Sequence, residues 1–163
     1  MKRIFYLAGV ALMATLLFAA CSSSDDDNTS NTTDGTTTLP TPAAGTDQRP
    51  DWQAPHYSLF EGMTMSVQIG LQKELLPYVS ENDLMCAVMS DEVRAVTNVK
   101  ETGGQYYFPL SVLGSSNEGA VTLKYYCDKL HRIFTVADWM EFDSSIQPTN
   151  GGMPYEVQFY TGN

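Results

Sequence analysis

From Tyr57 onward the chain alternates between short apolar runs and polar punctuation. Met63-Thr64-Met65-Ser66-Val67-Gln68-Ile69 alternates without a break, which places Met63, Met65, Val67 and Ile69 on one side of an extended strand. Leu84–Met89 is a continuous apolar run, the pattern of a strand covered on both faces. Ser90-Asp91 suits a tight reversal into a further strand at 92–97. Thr102-Gly103-Gly104 turns the chain into Gln105–Leu113, where Tyr106, Phe108, Leu110 and Val112 share a face. Pro109 has no N–H to give a ladder, so an edge or a bulge is expected there. Ala120–Cys127 repeats the alternation with Val121, Leu123, Tyr125 and Cys127 facing one way. Residues 131–136, 139–142 and 155–160 complete the predicted strands. One helix candidate, residues 71–78, is stopped by Pro77 before a third turn.

Seven to eight short strands with turn signals about every ten residues predict an all-β fold, an antiparallel β-sandwich over residues 51–163. Parallel pairing would need crossover helices that the pattern does not supply. Residues 22–50 are the opposite in character, with Leu39 the one large aliphatic side chain among Ser, Thr, Asn, Asp, Gly, Pro and Ala. Such a segment buries too little apolar surface to offset the entropy of ordering it, so 21–50 is read as a disordered tether.

Residues 1–20 have the make-up of a signal peptide. Lys2-Arg3 is followed by an uncharged run from Ile4 to Ala20, ending in Leu17-Phe18-Ala19-Ala20-Cys21. A cysteine directly after small residues is the mark of lipidation, so Cys21 is the expected acylated N-terminus of the mature chain. Its acyl chains would hold the protein to lipid, at roughly 0.8 kcal/mol per buried methylene. Loss of Lys2 and Arg3 takes the formal charge from -10 to -12. No run of Lys or Arg follows, so nucleic acid is not an expected partner.

Catalytic chemistry finds no foothold in the pattern. His56 stands in a lead-in segment and His131 after a turn, and Gly114-Ser115-Ser116 lacks the second glycine of a nucleophile elbow. No phosphate loop, dinucleotide fingerprint or His-Glu-x-x-His occurs. The acidic stretch around Asp143 reads as turn chemistry, with no metal needed. The expectation is a protein without catalytic residues, cofactor or metal. A carboxylate pair of the glycosidase type forms only in space, and nothing in the sequence selects one.

Binding is the remaining chemistry. Trp52, Trp139 and the pairs Tyr106-Tyr107 and Tyr125-Tyr126 offer flat faces for a sugar or a peptide. Adjacent strand residues point to opposite sides, so Tyr107 and Tyr126 are the outward rings. Tyr107, Tyr126 and Trp139 are therefore the candidate ligand or partner contacts, and Trp52 is taken as structural. Arg94 is expected to bridge Asp83, Asp91 or Glu92 as a structural guanidinium. Cys86 and Cys127 are either a disulfide, as export would permit, or two buried thiols.

The leader, with Asp25-Asp26-Asp27 close behind Cys21, resembles the surface-export form of lipoprotein signal in Bacteroidetes. The folded part resembles a small β-sandwich module of surface lipoproteins from those bacteria. That likeness rests on Asp51-Trp52, Met63-Thr64, Asn82-Asp83-Leu84-Met85-Cys86-Ala87-Val88, Asp91-Glu92-Val93-Arg94-Ala95-Val96, Tyr106-Tyr107-Phe108, Val121-Thr122-Leu123-Lys124-Tyr125-Tyr126 and Phe142. Relatives more often carry Cys-Arg-Gly where this chain has Val93-Arg94-Ala95, and Gly in place of Ser90, which implies a different disulfide arrangement and turn. The resemblance implies no enzyme activity. It implies an outer-membrane lipoprotein facing the cell exterior and accompanying SusC/SusD-like nutrient importers, with a peptide or glycan as cargo. Alternatives are a free-standing glycan-binding module and a structural or adhesive surface protein.

Overall fold

The computed structural model describes residues 40–56, 63–115, 117–146 and 152–162. The signal segment, Cys21 and Asp25-Asp26-Asp27 lie outside the described residues. Eight strands form two four-stranded sheets: β1 (Thr64–Leu71), β2 (Leu84–Met89), β3 (Glu92–Asn98), β4 (Lys100–Thr102), β5 (Gln105–Leu113), β6 (Ala120–Cys127), β7 (Arg132–Glu141) and β8 (Tyr155–Val157). One sheet runs β4-β5-β1-β8 and the other β3-β2-β6-β7. The all-β sandwich expected from the alternation is therefore the observed fold.

The period-two faces turn inward as read. Met65, Val67, Ile69, Phe108, Leu110, Val112, Val121, Leu123 and Tyr125 are buried between the sheets. At the centre the Tyr125 ring meets Phe108 edge-on at 5.6 Å and lies near-parallel to Phe134 at 5.9 Å. Aromatic pairs in such geometry add to the area they bury. Strand β2 is buried along its whole length, as its unbroken apolar run predicts.

Turn chemistry sets the registers. Ser90 and Asp91 both have positive φ, 48° and 64°, so the two-residue loop from β2 to β3 twists in the sense that hairpin strands require. Gly103 and Gly104 do the same between β4 and β5, at 60° and 80°. Pro109 pairs with Gln68 on β1, while β4 ends opposite Tyr107. The sheet thus presents a local edge at Pro109, where a missing donor costs nothing.

Several expectations are corrected. The helix at 71–78 is a single 3₁₀ turn, Leu76–Tyr78, and Leu71 instead completes the inward face of β1. The two strands read at 131–136 and 139–142 are one strand, β7. Its register against β6 jumps between Val121 and Leu123, and Asp138 within the irregularity has φ 46°. A bulge of this kind breaks the alternation and mimics a strand boundary. β4 was not anticipated, because its three residues are all exposed. β8 pairs parallel to β1; the intervening sandwich, in place of a helix, supplies the long connection. Beyond Val157 the pairing is continued by a side chain. The buried Gln72 amide donates to Tyr160 O at 2.8 Å and accepts from Tyr160 N at 2.7 Å.

The boundary of the tether also moves. Residues 40–49, hereafter the strap, are fastened to the sandwich. Gly45 N donates to Leu130 O (2.7 Å) and Asp47 N to His131 O (2.8 Å). Ile133 N donates to Asp47 Oδ2 (2.7 Å) and Arg132 Nη1 to Ala43 O (3.2 Å). The strap closes the start of β7, an edge otherwise open to further pairing.

Candidate functional site

The two sheets differ in what they do with their outer faces. On the β3-β2-β6-β7 sheet, Tyr126 points outward as expected, but it is 1% exposed. It stands in the row Leu84–Tyr126–Ile133. The strap is bonded at one end of that row, through Asp47 to Ile133 N, and Arg49 donates to Asn82 O beyond the other. The strap therefore passes over Tyr126, and the ring is withdrawn as a ligand contact. Burial, with the nearby Asp128 carboxylate, pushes its phenol up, while Arg49 opposes the shift.

The same end of the sandwich holds a buried polar knot. Asp83 is fully buried. Its carboxylate accepts from the Tyr125 hydroxyl (2.7 Å), Asp128 N (2.9 Å), Ser80 N (3.2 Å) and the Ser80 hydroxyl (3.1 Å). Burial and then the Asp83 charge hold the Tyr125 phenol far above its ordinary value. Every oxygen of this knot is spent on structure. Its carboxylate is a fastening, with no lone pair directed at a ligand.

Arg94 is bonded as a structural guanidinium, but not to Asp83. It pairs with Glu118, whose other oxygen accepts from Ser115 N at 2.9 Å, and reaches the exposed Glu92 at 3.3 Å. The arginine so ties β3 to the loop before β6. Glu118 was missed because it is 24 residues away, beyond what local spacing reveals.

Cys86 and Cys127 are free and buried. Cys86 pairs with Lys124 on β6, so its side chain shares the outer face, whereas Cys127 belongs to the inner core. The two thiols lie on opposite faces of one sheet and three residues out of register, roughly 10 Å along the strand. A disulfide needs Cα atoms within about 7 Å, so the bridge considered from sequence is replaced by the two-thiol arrangement. Burial pushes the Cys86 thiol up to about 12, partly offset by Lys124.

Trp139 is half-buried beside the bulge of β7 and meets Tyr155 of β8 edge-on at 6.0 Å. The pair joins the last strands of the two sheets. Trp52 is half-buried, while His56 and His131 are exposed. Hydrogen bonding from the Ser145 side chain, and then from Ser145 N at 2.8 Å, lowers the Asp143 pKa and accounts for the turn. Among the described residues no group of three His, Cys, Asp or Glu side chains is placed to hold a metal ion, and no helix is long and apolar enough to cross a membrane.

Tyr107 lies half-exposed on the outer face of the β4-β5-β1-β8 sheet. Residues 152–154 arch across this face, close enough at Gly70 that a Cβ there would stand 3.3 Å from Pro154 Cβ. On one side of the arch is a cavity of about 300 Å³ lined by Gln68, Thr102 and Tyr107. Beside it, at the end of the sheet where β1 finishes and β5 begins, is one of about 460 Å³ lined by Lys73, Leu76, Tyr106 and Glu156. Gln105, Met153 and Pro154 line both, so the two form lobes of one groove. These volumes fall in the roughly 300–1,000 Å³ range of small-ligand sites. Met153, 84% exposed, stands at the lip.

Of the ligand contacts expected from sequence, Tyr107 alone lines this groove. Gln68 and Gln105 were missed, although period two puts both on its face. The arch came from more than 40 residues away and had no local signal. Comparison with known proteins yields no match to any family model, curated protein or solved structure.

Proposed function

We propose that this protein is a non-enzymatic, lipid-anchored lipoprotein of the outer membrane, facing the cell exterior. Its sandwich acts there as an accessory subunit of a SusC/SusD-like nutrient importer. The observation that carries the reading is Leu17-Phe18-Ala19-Ala20-Cys21 with Asp25-Asp26-Asp27 behind it. A lipidated Cys21 supplies the anchor, and the acidic triplet supplies the outward address. Nineteen residue steps separate Cys21 from Pro40, a reach of at most roughly 65 Å. Within that radius a domain docks on a neighbouring membrane protein without leaving the surface. The acidic charge suits such a tethered soluble face and disfavours direct adhesion to anionic lipid.

Two measurements test the reading. Palmitate labelling in growing cells should mark the wild-type chain and not Cys21→Ala. Affinity purification from outer membranes solubilised in mild detergent should recover importer subunits with it. Recovery of the labelled protein alone, under conditions that keep known importer pairs together, would count decisively against the accessory role. The groove at Tyr107 favours a second reading, a binding module that captures glycan unaided.

A further inference from the structure

We infer that the two-lobed groove under the Met153-Pro154 arch is a binding site for a neutral oligosaccharide. The inference rests on the proposed role as a binding lipoprotein and names the ligand class for it. Three features select that class.

The first is unspent hydrogen-bonding capacity. Gln68, Thr102, Gln105 and Tyr107 converge on the smaller lobe, and none of their side chains is bonded to another described residue. Beside the strap, by contrast, Asn82 Nδ2 donates to Asp128 at 3.1 Å, and Asp47 accepts from Ile133 N. Amide and hydroxyl groups offer both donors and acceptors, which matches the ambivalent hydroxyls of a sugar.

The second is charge. The smaller lobe contains no ionisable acid or base besides the tyrosine, and the larger carries Lys73 and Glu156, whose charges cancel. A chain with net charge -10 repels an anion at a distance, and the groove offers no cluster of cations to recover it. A neutral ligand avoids both costs.

The third is shape. Tyr107 and the exposed Met153 give apolar surface beside the polar set, to match the C–H faces and hydroxyl edges of a pyranose ring. An extended peptide would instead seek an unpaired strand edge for its backbone. The smaller lobe lies on the face of the sheet, over the paired strands β1 and β5.

The test uses the full lipidated chain in a sugar-free zwitterionic detergent. Maltohexaose and xylohexaose serve as neutral probes, trigalacturonate as the anionic one, and a mixed hexapeptide pool as the peptide control. Calorimetric titration should show binding of at least one neutral probe. Tyr107→Ala and Gln105→Ala should weaken it at least about tenfold with little change in the thermal midpoint, while Thr135→Ala, exposed on the opposite sheet, leaves it intact. No neutral binding at millimolar probe, stronger binding of trigalacturonate or peptide, or full binding by Tyr107→Ala would each overturn the inference. So would loss of importer co-purification by Tyr107→Ala without any sugar binding, since the groove would then be a docking face. Failure to co-purify with importers, alongside sugar binding lost in Tyr107→Ala, would support the groove and remove only the accessory role.

Discussion

The end of the sandwich that carries Asp83 and the face that carries Tyr107 are built from the same kinds of residue, used in opposite ways. Around Asp83 every polar group is spent internally: the carboxylate takes four hydrogen bonds, and Asn82 and Asp128 bond to each other under the strap. Around Tyr107 the amides and hydroxyls line a cavity and bond to no other described residue. Tyrosine stands at both places. Tyr125 and Tyr126 are buried, whereas Tyr107 is half-exposed. Polar groups that hold the fold are thus told apart from those of the proposed site by what they already touch, not by residue type. Substitution in the first region should cost stability, and in the second it should cost binding.

The largest effect is expected at Asp83. Asp83→Ala strands the Tyr125 hydroxyl and the Asp128 and Ser80 amides in a buried site. At about 1–3 kcal/mol for each buried group left unpaired, a loss of about 4 kcal/mol follows, read by urea denaturation. Tyr125→Phe leaves the Asp128 and Ser80 bonds to Asp83 in place and should lose distinctly less. Equal losses would mean that the knot is one tyrosine contact and not a shared fastening. Next comes the ion pair between Arg94 and Glu118, with side chains 7% and 17% exposed. Glu118→Ala leaves the guanidinium poorly compensated and should cost about 3 kcal/mol, whereas the exposed Glu92→Ala should cost less than about 1. A Glu92 effect as large as that of Glu118 would move the fastening to the hairpin.

The buried thiol gives the covered region a pH signature. The folded state raises the Cys86 pKa from about 9 to about 12, so the native chain holds its proton longer than the unfolded chain does. Stability from this group is full below pH 9 and declines as pH rises toward 12, by up to about 1.4 kcal/mol per unit. Cys127 and Tyr125 shift in the same direction. Denaturation followed by circular dichroism across pH 8–12 should show this decline, and Cys86→Ala should make it shallower, the remainder coming from Cys127 and Tyr125. A flat wild-type profile would show that Cys86 is not held protonated by burial.

How far this contrast was legible in the sequence depends on where each interaction comes from. Strict alternation located β5 and β6 to the residue, because a one-residue slip would turn the whole apolar set outward, and an unbroken apolar run located β2. It failed where structure was borrowed. β4 has no buried residue and exists because the Gly103-Gly104 turn lays it against β5. The strap is polar and proline-rich, and its order comes from the Leu130 and His131 carbonyls more than 80 residues away. That one segment explains two misreadings, since it shortens the tether and covers Tyr126. The direction of Tyr126 was correct; its exposure depended on a neighbour that composition had assigned to disorder. At the groove the face of Tyr107 was legible, but the arch at 152–154 was not.

A milder intervention tests the strap. Asp47→Ala removes the acceptor for Ile133 N and should cost about 1 kcal/mol. Hydrogen exchange should quicken at Ile133 and Gly45 together, because the strap leaves the edge of β7 as a unit. Faster exchange at Ile133 alone would indicate a local bond and no coupling to the rest of the strap.

The smallest stability change is expected where the functional change is largest. Tyr107 pairs across the sheet with Lys100 and Gly70, neither of which packs a large apolar surface on its ring. Tyr107→Ala should therefore shift stability by no more than about 0.5 kcal/mol, the low end of cross-strand pair contributions. The comparison sharpens if Tyr125→Phe, which removes only a hydroxyl, costs more than Tyr107→Ala, which removes an entire ring. It breaks if the order is reversed, because Tyr107 would then be holding the sheet, and the unspent amides around it would have lost the aromatic partner that makes them a site.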